Sequence, residues 1–153
     1  MTIAWHGPAL TFQVLGLPAP QGAITTYGRG RSVHSNAKVL RPWREHVQHA
    51  AEAAIEATTW QGFPLTGPIS LHAHFTMPKP KSAPKRRPTW PITRPDLSHL
   101  VRAVEDALTA SGAWKDDSQV IETFSGKGYP GEGAHTLHVP GVILRVYVGS
   151  EAE

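Results

Sequence analysis

Arg94-Pro95-Asp96-Leu97-Ser98-His99-Leu100 leads into an apolar repeat that stops at Ser111-Gly112. Trp114-Lys115-Asp116-Asp117-Ser118-Gln119-Val120 follows. Pro95 fixes its own φ and pushes Arg94 toward an extended conformation. Leu97, Leu100, Val101, Val104 and Leu108 then recur at helical spacing, which predicts an amphipathic helix with its apolar stripe on a core. Asp96 or Ser98 suits the N-cap, because either oxygen can accept from the open amides of a first turn. Gly112 suits the position beyond the C-terminus. Residues two apart share a face only in extended backbone, so Asp96 and Ser98 point into one site only where the helix begins around them. A strand at 120–124 would complete the unit, and helix and turn would carry Asp116 or Asp117 back toward Asp96. Carboxylates placed this way beside a basic run suggest a metal ion and a polyanionic substrate.

That basic run is Lys79-Pro80-Lys81-Ser82-Ala83-Pro84-Lys85-Arg86-Arg87-Pro88-Thr89-Trp90, with five cations and no acid. Its prolines exclude a helix and predict an extended, mobile loop over 79–94. Charge runs are ordinarily solvated. Placement directly before Asp96 favours phosphate contacts from Lys79, Lys81, Lys85, Arg86, Arg87 and Arg94. Trp90 could stack on an unpaired base, although packing against the fold is its more ordinary use. A second basic loop, 23–36, contains Gly28-Arg29-Gly30-Arg31, where Gly permits close backbone approach and Arg29 and Arg31 supply charge.

The rest of the chain supplies a scaffold. Strands are predicted at 10–17, 68–77, 120–125 and 142–148, and a long helix at 42–58 that starts with Pro42 in its first turn. Ile69, Leu71, Ala73 and Phe75 face one side of the second strand, and His72 and His74 the other. The Gly-rich stretch 126–141 reads as a turn-rich loop with a short strand at 136–139, and 150–153 as a tail. The fold class is therefore α+β: one small domain over 1–153, a mixed or antiparallel sheet of about four strands, and two main helices packed on it. A chain of 153 residues with 40% hydrophobic content can bury a core. No apolar run has transmembrane length and no signal-peptide pattern opens the chain, which suits a cytoplasmic protein with no membrane partner. The absence of Cys excludes thiolate metal sites. The net charge is only +3, so the clustering of Lys and Arg matters more than their total. No phosphate-binding glycine loop or nucleophile motif points to a small-molecule enzyme or a small-molecule cofactor.

Three elements together, Arg94-Pro95-Asp96-Leu97-x-x-Leu100, Ala103-Val104-x-Asp106-Ala107-Leu108 and Gly112-x-Trp114-x-Asp116-Asp117-x-Gln119-Val120, resemble the RusA family of Holliday junction resolvases. Weaker similarity covers Pro18-Ala19-Pro20-Gln21-Gly22, Pro42-Trp43-Arg44 and the basic loop. The resemblance implies a Mg²⁺-dependent endodeoxyribonuclease, with Mn²⁺ as a substitute, that acts as a homodimer on four-way junctions in a bacterial host and is often phage-encoded. It assigns catalysis and metal binding to Asp96, Asp117 and Asp116, and a catalytic cation to Arg102, where the family has Lys. Ser98 stands where the family has its second essential acid, and His99 where it has Asn. Both remain candidate metal contacts, and an imidazole would tilt the preference toward Mn²⁺. The departure at Ser98 also motivates an alternative, a branched-DNA-binding protein on the same fold with reduced or no cleavage. A nuclease for forks or flaps is a further alternative.

Overall fold

Leu10, Phe12 and Val14 alternate with polar neighbours, and they lie in β1 (Ile3–Leu15). The strand starts earlier than the sequence pattern suggests because Gly7-Pro8 interrupts the alternation. Gly7 has φ +123°, and a Cβ there would sit 2.4 Å from the amide nitrogen of Ala9. The pairing register shifts between His6 and Leu10, so one strand continues through a bulge. A hairpin follows, β2 (Ile24–Tyr27) with β3 (Arg31–His34), where the sequence predicts only a loop. Residues 2–22, 24–27, 31–34 and 37–152 of the chain are described by this computed structural model, and side chains at 24–27, 31–34 and 37 are outside the description.

Helix α1 (Ala37–Ala57) begins before Pro42, which therefore lies inside it rather than in its first turn. Leu40, Trp43, Val47 and Ala51 form its buried stripe. Next come β4 (Ile69–Thr76), α2 (Leu97–Ser111), a short 3-10 turn (Asp117–Gln119), β5 (Val120–Gly128) and β6 (Gly141–Glu151). The stretch 136–139 is irregular, ending in a bend, and not a strand. Its Leu137 amide donates to the Thr76 hydroxyl at 2.8 Å and so has no strand partner. The predicted tail from Ser150 continues β6 as far as Glu151, paired with Ile3.

The sheet order is β1-β6-β4-β5, antiparallel except for the parallel pair β4 and β5. A parallel pair needs a crossover, and α2 supplies it. That topology places the two acidic motifs: one lies where the chain leaves β4 and enters α2, the other where it leaves α2 and enters β5. Helices α1 and α2 pack against each other, α1 over β1 and α2 over β5. Leu100, Val104 and Leu108 of α2 are fully buried with Leu71, Phe75, Leu144 and Val146 of the sheet. Truncating one of these leucines to Ala costs about 2–5 kcal/mol through lost burial and the cavity left behind. On the opposite sheet face, the His72 ring lies 4.9 Å from Phe124 and from Tyr147, and His74 stacks on His135 at 4.3 Å. Among the described residues no helix is long and apolar enough to cross a membrane.

Candidate active site

Helix α2 begins at Asp96, which has extended dihedrals (φ −68°, ψ 138°) and occupies the N-cap position. Its side chain makes no capping bond and is 64% exposed, with Oδ2 3.9 Å from Nδ1 of His99. The backbone carbonyl of Asp96 accepts from the amides of His99 and Leu100, so the residue starts the helix while its carboxylate stays available. Ser98 is exposed inside the first turn and is not the N-cap. Asp96, His99 and Arg94 line an apolar groove of about 1040 Å³ together with Leu17, Trp43 and Met77.

The second acidic motif splits in two. Asp116 caps the 3-10 turn: its Oδ1 accepts from the Ser118 amide at 2.8 Å, and Gln119 Oε1 accepts from the amides of Lys115 and Asp116. Ser118, first through its amide and then through its side chain, stabilises the ionised form and holds the Asp116 carboxyl below its ordinary value. Gln119 Nε2 donates to the carbonyls of Leu65 and Gly67, which ties the turn to the start of β4. Asp117 turns the other way, onto α2. Its Oδ1 accepts from the Thr109 hydroxyl, and that oxygen in turn accepts from the buried indole of Trp114 at 2.7 Å. An indole N–H in a core needs an acceptor. Thr109 serves both groups at once and fixes the Asp117 rotamer from behind.

Asp117 meets two further acids of α2. Asp106 lies beside it, carboxyl against carboxyl. Burial, followed by that contact, raises Asp106 above its ordinary value, while Gln21 and Arg44 oppose the rise. Arg44 Nη1 lies 3.9 Å from Asp106 Oδ2. Glu105 is pushed up to about 7, first by burial, then by the charges of Asp117 and Asp106, against the pull of Arg102. Gln21 donates its backbone amide to the His99 carbonyl at 3.0 Å, and its side chain faces Asp106 and favours the ionised carboxylate there.

The arrangement is a stripe along α2 rather than one tight cluster. Asp96 stands at its start and Asp117 leans back over it from the far end, as far as Glu105 and Asp106. Positions 98, 102, 105 and 109 follow i, i+4, i+7, i+11 and share this face. Asp96 and Asp117 share no hydrogen bond among the described residues, and no three His, Asp or Glu side chains there converge on one metal position. Asp106 and Asp117 do fit a hard cation. Both offer oxygen, they are in contact, and a divalent ion would relieve the repulsion that Glu105 registers. Mg²⁺ needs only one or two carboxylates because it keeps several waters.

Sequence reasoning missed Glu105 and Thr109 as site residues. Gln21, Asp106 and Trp114 were visible only as motif positions. The buried indole of Trp114, five residues from a helical Thr, was the one signal that could have pointed to Thr109.

The predicted DNA contacts fall into two groups. Lys81, Lys85, Arg86, Arg87 and Arg94 are exposed. Lys79 is instead held by Glu132 at 2.6 Å and by the Arg87 carbonyl at 3.1 Å. Arg31 opens β3 with its side chain outside the description, and Arg29 lies outside the described residues.

The family model for Endodeoxyribonuclease RusA matches residues 17–139, which span Gln21, the basic loop, α2 and the Asp116-Asp117 turn. The chain belongs to the RusA endodeoxyribonuclease family. Membership supports endonuclease activity on DNA and binding to DNA junctions. The chain is also similar to the uncharacterised protein YqaN of Bacillus subtilis (strain 168), with 30% identity over 138 residues, 80% of this chain and 89% of YqaN.

Proposed function

We propose that this chain is a metal-dependent, structure-selective endonuclease that resolves Holliday junctions or related branched DNA by phosphodiester hydrolysis. The observation that carries this is the placement of Asp117: Thr109 and Trp114 hold its carboxylate against the acids of α2 instead of leaving it as a turn cap. Asp117 and Asp106 would hold Mg²⁺, or Mn²⁺ in its place, with Asp96 supplying the family's carboxylate from the helix start. When bound, the ion would polarise a phosphate oxygen and lower the pKa of a water. Asp116, occupied by Ser118, positions its neighbour. Arg102 sits on the same helix face beside Glu105 and is assigned to the charge that develops on phosphate. In place of the family's acid at position 98, this chain carries Glu105 two turns further along the stripe. Lys81, Lys85, Arg86, Arg87 and Arg94 bind backbone phosphates without reading sequence. A four-way junction is two-fold symmetric, so two symmetric cuts call for a homodimer.

Ser98 supports one other reading, a branched-DNA-binding member of the family that does not cut. A panel of four-way junction, flap, fork and linear duplex, each in Mg²⁺, Mn²⁺ and EDTA, separates the two. Paired symmetric cuts in the junction, with either metal and not in EDTA, are expected. Tight junction binding with no cut in either metal would select the non-cutting reading, and equal cutting of linear duplex would remove structure selectivity.

A further inference from the structure

Trp90 and Ile92 are 83% and 88% exposed, the most exposed of the large apolar side chains described. A tryptophan loose on a mobile loop would mean little, but this loop is built. Pro91 between them is buried. The Ile92 amide donates back to the Trp90 carbonyl at 2.9 Å, which turns the two side chains outward around that proline. Glu132 accepts from the Thr89 amide at 2.9 Å and from Lys79 at 2.6 Å on one side. Lys127 donates to the carbonyls of Thr93 at 2.8 Å and Pro95 at 2.7 Å on the other. The expectation that Trp90 packs against the fold is therefore overturned: the fold packs Pro91 and displays Trp90.

The surroundings choose the partner. From Lys79 to Pro95 there is no acid, and Lys85, Arg86, Arg87 and Arg94 flank the tip. An exposed apolar tip with exposed cations before and after it in the chain matches a polyanion that also offers flat apolar faces. In a continuous duplex those faces are stacked shut. At a branch point the helices part and terminal base pairs present open faces. Rigid apolar wedges with flanking cations are how proteins hold unstacked DNA steps, and aromatic stacking on a base is insensitive to sequence.

We propose that Trp90 and Ile92 form an apolar wedge that stacks on the base faces opened at a DNA branch point, four residues or more ahead of the catalytic Asp96. The wedge selects structure while the cations supply general affinity. This rests on the reading of the chain as a branched-DNA enzyme. The experiment uses full-length protein in EDTA, a four-way junction with 2-aminopurine at the branch point, and the matching linear duplex. Native protein and Trp90→Phe should change the 2-aminopurine signal. Trp90→Ala with Ile92→Ala should abolish that change and weaken junction binding about ten-fold, the effect expected of one lost stack, with linear-duplex affinity retained. Both side chains are exposed, so the variant keeps its fold, which circular dichroism verifies. A native preference for junctions that the double variant retains in full overturns the wedge alone. No native preference for junctions over duplex overturns the branched-DNA reading and the wedge with it. A change of sedimentation mass in the double variant assigns the tip to a protein contact instead, which also overturns the proposal.

Discussion

The two ends of α2 present acids of the same kind under opposite conditions. At the start, Asp96 is exposed, accepts no capping bond and lies 3.9 Å from His99. At the far end, Asp117 is half-buried, held by Thr109 and crowded by Asp106 and Glu105. The difference teaches that position in a motif does not fix the physical job. The exposed acid makes no capping bond, so the chemical role proposed for it should be separable from stability. The enclosed acids are repulsive before any ligand arrives, and binding a cation or a proton should relieve them.

The sharpest break is substitution of each acid by its amide. Asp117→Asn should lower junction cleavage by more than about a hundred-fold, since even groups that only support a metal ligand are worth roughly 10- to 100-fold. Asp96→Asn should also silence cleavage, yet leave the metal-free melting temperature where it was. A marked loss of stability in Asp96→Asn would show that the helix start is not the free end described. Thr109→Val comes next. It keeps volume but releases Asp117 and leaves the Trp114 indole unpaired, so cleavage should fall about 10- to 100-fold. The unpaired group should also cost about 1–3 kcal/mol, readable by denaturant melting. Stability lost with full activity would mean that Thr109 serves only Trp114.

Ser98→Asp tests the exposed end in the other direction. It restores the family's acid on the face between Asp96 and Glu105, and should raise Mn²⁺ affinity and junction cleavage several-fold. Repulsion from Asp96 is opposed by the helix dipole, which favours an acid in the first turn by about 0.3–1 kcal/mol. The melting temperature should therefore move little. Unchanged titration calorimetry with Mn²⁺ would place position 98 outside the metal site.

The smallest effect is a pH dependence. Glu105 titrates near 7 in the folded chain against an ordinary value of 4.5. Between those values the folded state binds more protons than the unfolded state, so this group's contribution to stability falls as pH rises through that window. In EDTA, the melting temperature of native protein minus that of Glu105→Gln should become more negative from pH 5 to pH 8. A difference that stays flat would mean Glu105 is better solvated than its position on α2 implies.

Much of this was legible beforehand. The helical spacing from Leu97 to Leu108, the alternation in β4 and the Gly112 stop are local signals, and each element appeared where they pointed. The extension of β1 past Gly7-Pro8 was hidden because a bulge breaks period-two patterning. The parallel pairing of β4 with β5 is a long-range property that spacing does not carry. It is also what put the two acidic motifs at opposite ends of α2, so that Asp117 met Glu105 and Asp106 before Asp96. The roles of Thr109 and Gln21 depend on which buried donor lacks an acceptor, and that is known only once Trp114 and Asp106 have neighbours. Trp90 misled for a related reason: the sequence shows an aromatic beside prolines, and only the anchors Glu132 and Lys127 reveal which residue of the tip is buried.

The deciding measurement is cleavage of a labelled four-way junction against Mg²⁺ concentration, with native protein and Asp117→Asn side by side. Native protein should give paired symmetric cuts that rise with Mg²⁺ and vanish in EDTA, and the variant should bind the junction but leave it intact across the series. Cleavage by the variant at the native rate, or native cleavage that persists in EDTA, would contradict metal-dependent cleavage through Asp117.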